Sequence, residues 1–152
     1  MPTLQLLQSY LDEIGHAVMR GDWETYLNAV CLPFHFITES TSLVVASEAD
    51  LRAGFDEFHQ MLTLQRVTDY IRLAESAVDI DDLLISGRYV SHMITSGGHR
   101  LMPPFRSQIT LRLVGNTWRA AAITNSLTNM RWPILIPAVA TADAPFKGDR
   151  DV

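Results

Sequence analysis

Five histidines, four tyrosines, one cysteine and an uneven set of carboxylates are the groups from which any chemistry in this 152-residue chain must be built. Residues 1–82 carry 14 acids and 4 arginines, a balance of −10, whereas residues 83–152 carry 3 acids and 8 bases, a balance of +5. Six arginines (Arg88, Arg100, Arg106, Arg112, Arg119 and Arg131) fall between residues 83 and 142 with no Asp or Glu among them. Paired carboxylates on the later part of the chain are therefore not available as base and acid. Histidine, tyrosine and arginine remain. His92 has the most to offer, because an imidazole titrates near neutral pH and can both give and take a proton. If 83–95 and 99–114 pair as strands without a bulge, His92 shares an inward face with Phe105, Ser107 and Thr124. A one-residue bulge at Pro103-Pro104, where proline interrupts the ladder, reverses the parity and turns Tyr89 inward instead.

The remaining candidates are weaker. The sequence holds no HExxH and no HxH. His92 and His99 flank the Gly97-Gly98 turn, but the turn register puts His99 beside Ser96 and His92 near Pro103, so they do not converge as zinc ligands must. No metal is expected. Gly97-Gly98 lacks the strand–helix context of a phosphate loop, and no cofactor is expected. Phe34 and Phe36 flank His35, which favours burial of both rings and an exposed histidine. Cys31 is the one cysteine, which excludes an intramolecular disulfide, suits a reducing compartment and reads as an inert buried thiol.

Composition bounds the rest. Apolar residues make up 47% and charged residues 19%, the balance of a globular chain rather than a disordered one. The longest stretch without a charge, Thr25 to Thr38, is 14 residues. A spanning helix needs about 20, so no membrane segment is expected. Met1-Pro2-Thr3 does not open a basic and then apolar leader, and the expected location is the cytoplasm. Arginine clusters can mark nucleic-acid binding, but the net charge is −5 and Lys147 is the one lysine. No aromatic–basic signature of an RNA-binding sheet accompanies them, so nucleic acid is not an expected partner.

The elements that must position these groups follow from periodicity. Leu4, Leu7, Leu11, Ile14 and Val18 form a helical stripe ending at Gly21. Asp22 caps a second helix carrying Trp23, Tyr26, Leu27 and Val30, which Pro33 stops. Phe34 to Thr38 and Ser42 to Val45 read as short strands. Ser47-Glu-Ala-Asp50 opens a third helix with Leu51, Phe55, Phe58 and Leu62 on one side. After Gln65 the period changes to 2, with strands expected at 67–79, 83–95, 99–114 and 117–127. Helices first and then a strand meander indicate an α+β domain over 1–132, with 133–152 as an extended tail. A two-residue turn at Gly115-Asn116 pairs Leu113 with Trp118, Leu111 with Ala120, Ile109 with Ala122 and Ser107 with Thr124. It also sets Arg112 opposite Arg119, which calls for an anionic neighbour: Asp69, Glu75, Asp79 or a second subunit.

This order of elements, with GDWETY opening the second helix, the aromatic strand FHFIT and GNTWRAAAITNSL closing the sheet, resembles the nuclear transport factor 2-like superfamily. More narrowly it is similar to the SnoaL-like branch, over roughly residues 4–128. The resemblance implies three helices on a curved, mostly antiparallel sheet, forming a cone with an internal pocket and dimerising through the open sheet face. It implies an acid–base enzyme (isomerase, dehydratase or cyclase) acting on a small, mostly apolar metabolite, or a non-catalytic ligand-binding or dimeric assembly module. The carboxylate pair of the superfamily's ketosteroid isomerases is missing: Thr38 and Glu39 stand near the first position, and nothing stands at the second. In the enzymatic reading His92 is the proton shuttle, Tyr10 or Tyr26 the hydroxyl donor, and Arg88 or Arg106 the anchor for an anionic group. Trp23, Phe55, Phe58, Phe105, Ser107, Trp118 and Thr124 would line the pocket.

Overall fold

The computed structural model describes residues 1–125, so the boundary expected at 132 and the tail 133–152 lie outside the described residues. Helix α1 (Thr3–Arg20) buries Leu7, Leu11, Ile14 and Val18 as the stripe predicts, and adds Tyr10 and Ala17 to that face. Leu4, its first member, is exposed at the open end. Gly21 ends the helix at φ 74°, a left-handed conformation open to glycine at little cost. Asp22 then caps α2 (Trp23–Asn28), accepting from the Thr25 amide and hydroxyl at 3.2 and 2.7 Å. The Thr25 hydroxyl, more than the amide, holds the Asp22 carboxyl below its ordinary range.

Strand β1 (Val30–Ile37) begins earlier than the sequence indicates. Val30 belongs to it and not to α2, because it pairs in parallel with Ala120, whose amide donates to Ala29 O at 2.8 Å. A β-branched residue with a strand partner gains more from the sheet than from one further helical turn. Phe34 and Phe36 are buried and His35 is exposed, as the alternation predicts. After β2 (Ser42–Val45), Ser47 caps α3 (Glu48–Leu64) by accepting from the Asp50 amide at 3.1 Å, and Leu51, Phe55, Phe58 and Leu62 are buried.

Four long strands follow: β3 (Val67–Asp81), β4 (Leu84–Thr95), β5 (Phe105–Val114) and β6 (Thr117–Asn125). The sheet order is β2-β1-β6-β5-β4-β3, antiparallel throughout except for β1 against β6, and the sheet does not close. This is the α+β arrangement expected, with the helices on one face. Gln8 of α1 secures the free edge of that sheet: its Nε2 donates to Arg72 O and its Oε1 accepts from the Ala74 amide, both at 2.8 Å. No helix among the described residues is long and apolar enough to cross a membrane.

Two register details decide what faces the helices. The β4–β5 ladder pairs Tyr89 with Ser107 and Ser91 with Phe105, while the hairpin end is held by an Ile94–Arg100 bridge. Residues 101–104 take up the mismatch, because Pro103 and Pro104 have no N–H to donate and β5 starts only at Phe105. Tyr89 therefore points inward and His92 outward. In the last hairpin Leu113–Trp118, Leu111–Ala120 and Arg112–Arg119 pair as expected, but a bulge at Ala121 then shifts the ladder. Ile109 meets Ile123 rather than Ala122, and Ser107 meets Asn125 rather than Thr124.

Candidate functional site

Between the helices and the inner face of the sheet lies a cavity of about 70 Å³. Phe34 and Phe36 from β1, Phe58 from α3 and Ile109 from β5 give it apolar walls. Its polar lining comes from Tyr10, Tyr26, Tyr70, Tyr89, Ser91, Ser107, Asn125 and one cation, Arg72. Among the described residues the lining holds no His, Asp or Glu. No three His, Cys, Asp or Glu side chains of the described residues come together as a metal ion would need.

Of the expected site residues, Tyr10, Tyr26, Phe58, Phe105 and Ser107 reach this cavity. Trp23 and Phe55 stand one layer behind: Phe55 lies 4.8 Å from the Tyr26 ring and 5.5 Å from Trp23, which Arg52 covers at 5.0 Å. Trp118 is half-buried and packs against the core without lining the cavity. Four residues lie on the outer face of the sheet for the parity reasons above. His92 accepts there from Arg100 Nη1 at its Nδ1, 2.8 Å away. Arg106 pairs with Glu75 at 3.1 Å, and Arg88 and Thr124 are exposed. His92 therefore does not join Ser107 within the cone. Arg112 and Arg119 do stand opposite one another; Arg112 reaches Cys31 Sγ at 4.0 Å, while the carboxylate of Glu75 is taken by Arg106.

The arrangement that sequence reasoning misses is Tyr70 and Arg72 on β3. The Arg72 side chain is buried, at 7% exposure, with its guanidinium 5.1 Å from the Tyr70 ring and 5.5 Å from the Tyr89 ring. Its Nη2 donates to Leu11 O at 3.2 Å, and its Nε has no partner. None of the ion pairs Arg20–Asp22, Arg52–Asp56 and Arg106–Glu75 involves it, so among the described residues this buried cation faces no carboxylate. Burial works to lower its pKa, the phenols of Tyr70, Tyr89 and Tyr10 raise it, and the net direction is upward. The charge is retained.

Burial pushes the phenols of Tyr10, Tyr26 and Tyr70 up, against a smaller opposing effect of Arg72. A phenol whose pKa is raised stays protonated through the ordinary pH range, so these groups donate hydrogen bonds and do not serve as bases. Tyr10 already donates to Ala29 O at 2.6 Å. Ser107 Oγ is buried with no partner, the second orphaned polar atom in the lining. The chemistry on offer is a cation, hydroxyls and aromatic walls. It can bind and polarise an oxygen; the described lining has no group that takes up a proton near neutral pH.

No protein-family model matches the sequence, and no curated protein matches it. Solved structures do match in shape. An NTF2-like protein with a cystatin-like fold from Novosphingobium aromaticivorans superposes with a TM-score of 0.60 at 15% identity, covering 83% of this chain and 82% of that one. An NTF-2 like protein of unknown function from Shewanella oneidensis MR-1 gives 0.58 at 9% identity over 79% and 95% of the two chains. An NTF2-like protein from Cytophaga hutchinsonii gives 0.55 at 12% over 83% and 98%. Identities this low carry the architecture and not the activity. Three N-terminal helices laid on a mixed, open six-stranded sheet, with these structures as matches, give the chain the cystatin-like fold seen in these NTF2-like proteins.

Proposed function

We propose that this protein binds a small, mostly apolar molecule inside the cone, and that binding rather than acid–base turnover is what the described site is built for. The observation that carries this reading is the lining itself: an apolar cavity lined by four tyrosines, two serines and one buried cation, a make-up that suits a small-molecule site. His92, the one imidazole assigned a catalytic role from sequence, is engaged by Arg100 on the other face of the sheet. An enzyme of the SnoaL-like kind remains the alternative, supported by the sequence resemblance. In that reading the tyrosines and Arg72 would hold a developing oxyanion.

A thermal-shift screen of small apolar compounds tests the binding reading, with a plugged cavity as control. Ser107→Leu fills the cavity and removes an orphaned hydroxyl, so the variant is expected to fold at least as well as the parent. Compounds that raise the parent's melting temperature should leave that of Ser107→Leu unchanged, since only binding to the folded site stabilises it. Equal shifts in both proteins would place the binding elsewhere and overturn the reading.

A second property rests on a different surface. We propose a homodimer formed through the outer sheet face, where Ile71, Leu73, Val78 and Ile80 of the edge strand β3 are exposed. An apolar row on an edge strand invites a partner. Analytical ultracentrifugation should show a dimer that Leu73→Glu converts to monomer. A parent protein that sediments as a monomer at high concentration would refute it.

A further inference from the structure

We propose that Arg72 anchors the negative group of the ligand, so that the cone selects a compact carboxylate with an apolar or aromatic body over its neutral counterpart. This deepens the small-molecule reading and rests on it. Three observations meet at one place. Arg72 is buried and lines the cavity. It is charged, yet no carboxylate of the described residues pairs with it. Its Nε proton has no acceptor, while Nη2 donates to Leu11 O.

A buried cation left without a counter-ion is costly, and proteins ordinarily pair such a group or expose it. Here the two tyrosine faces at 5.1 and 5.5 Å provide partial compensation and hold the guanidinium plane. Nε and Nη2 form one edge of that plane, and the spacing of that edge matches the two oxygens of a carboxylate. Ser107 Oγ, the other unpaired atom of the lining, offers a second polar point. Phe34, Phe36, Phe58 and Ile109 line the same cavity with carbon. Size narrows the class further. The cavity's roughly 70 Å³ is about half of the ~150 Å³ that holds benzene in an engineered apolar cavity, so the carboxylate and a few carbons fit inside and a larger body extends beyond it.

The test compares butyrate and benzoate with butyramide and benzamide, which keep the shape and lack the charge. Titrations by calorimetry are read beside the Arg72 Nε resonance of ¹⁵N-arginine-labelled protein. The acids are expected to bind about tenfold to a hundredfold more tightly than the amides, the effect of hydrogen bonds to a charged group, and to move that resonance. In Arg72→Met the acids should fall to the level of the amides, while Arg72→Lys, which keeps the charge and loses the fork, should fall between. Circular dichroism confirms that each variant is folded, and the resonance of the parent decides the matter without them. Amides that bind the parent as tightly as the acids, or an acid preference that survives in Arg72→Met, would overturn the proposal and leave the small-molecule reading standing. If neither acids nor amides bind while other compounds shift the parent and not Ser107→Leu, the anion assignment alone fails. If no compound does so, both fail.

Discussion

Leu7→Ala will cost this protein about 2–5 kcal/mol, and Gly87→Ala about 1–3 kcal/mol, although the two changes together will cost less than their sum. Leu7 is completely buried on α1, and Gly87 lies beneath it on the inner face of β4. A Cβ built on Gly87 would come 2.5 Å from Leu7 Cδ2 and 3.4 Å from Ser76 O, closer to the leucine than any real methyl contact. The leucine methyls occupy the space that the missing side chain leaves. Shortening Leu7 opens a void there, and adding a methyl at Gly87 pushes the helix off the sheet. In the double variant each change relieves the other. Urea unfolding of the four proteins completes the cycle, and strict additivity would show that the two sites do not share this contact.

The second large effect has the opposite sign. Arg72→Met is expected to stabilise the ligand-free protein by about 1–4 kcal/mol, the range found when buried ionic groups give way to apolar residues of similar volume. The value should fall toward the lower end, because the substitution also gives up the Tyr70 and Tyr89 ring contacts and one hydrogen bond to Leu11 O. Losing that bond orphans no carboxylate of the described residues, since none of them pairs with Arg72. For a chain of this length each kcal/mol shifts the melting temperature by about 2–4 °C, so scanning calorimetry resolves the change. A less stable variant would mean that the ring contacts and the hydrogen bond outweigh the desolvation of the charge. Stability gained by deleting a polar group is the mark of a residue kept for binding.

Much of the frame could be read from local patterns. The leucine stripe of α1, the Ser47 cap of α3 and the Gly115-Asn116 turn all stand where periodicity and turn chemistry put them. Each is decided by residues within a few positions of one another. So is the exposure of His35 between two buried phenylalanines. The identity of the cavity groups is of another kind. Along β3 the row Tyr70, Arg72 and Ala74 and the row Ile71 and Leu73 are both partly apolar, so alternation alone does not choose which faces the helices. The available signal was an arginine between tyrosine and alanine at period 2, and it counts equally well as a solvated strand position.

What the sequence determined by itself is the α+β order of elements, their amphipathic faces and the exclusion of a carboxylate pair from the later strands. All of these are properties of composition and short-range spacing. What the tertiary structure decided is which side of each strand looks inward. Two local breaks set that choice: the segment before Phe105, where prolines cannot join the ladder, and the bulge at Ala121. Because strand side chains alternate with a period of 2, one residue of slippage exchanges an entire row. That exchange removed His92 and Thr124 from the cone and turned Tyr89 and Asn125 toward it. On the neighbouring strand, pairing with β4 and the contact of α1 brought Arg72 inside, where its charge is buried with no carboxylate of the described residues beside it.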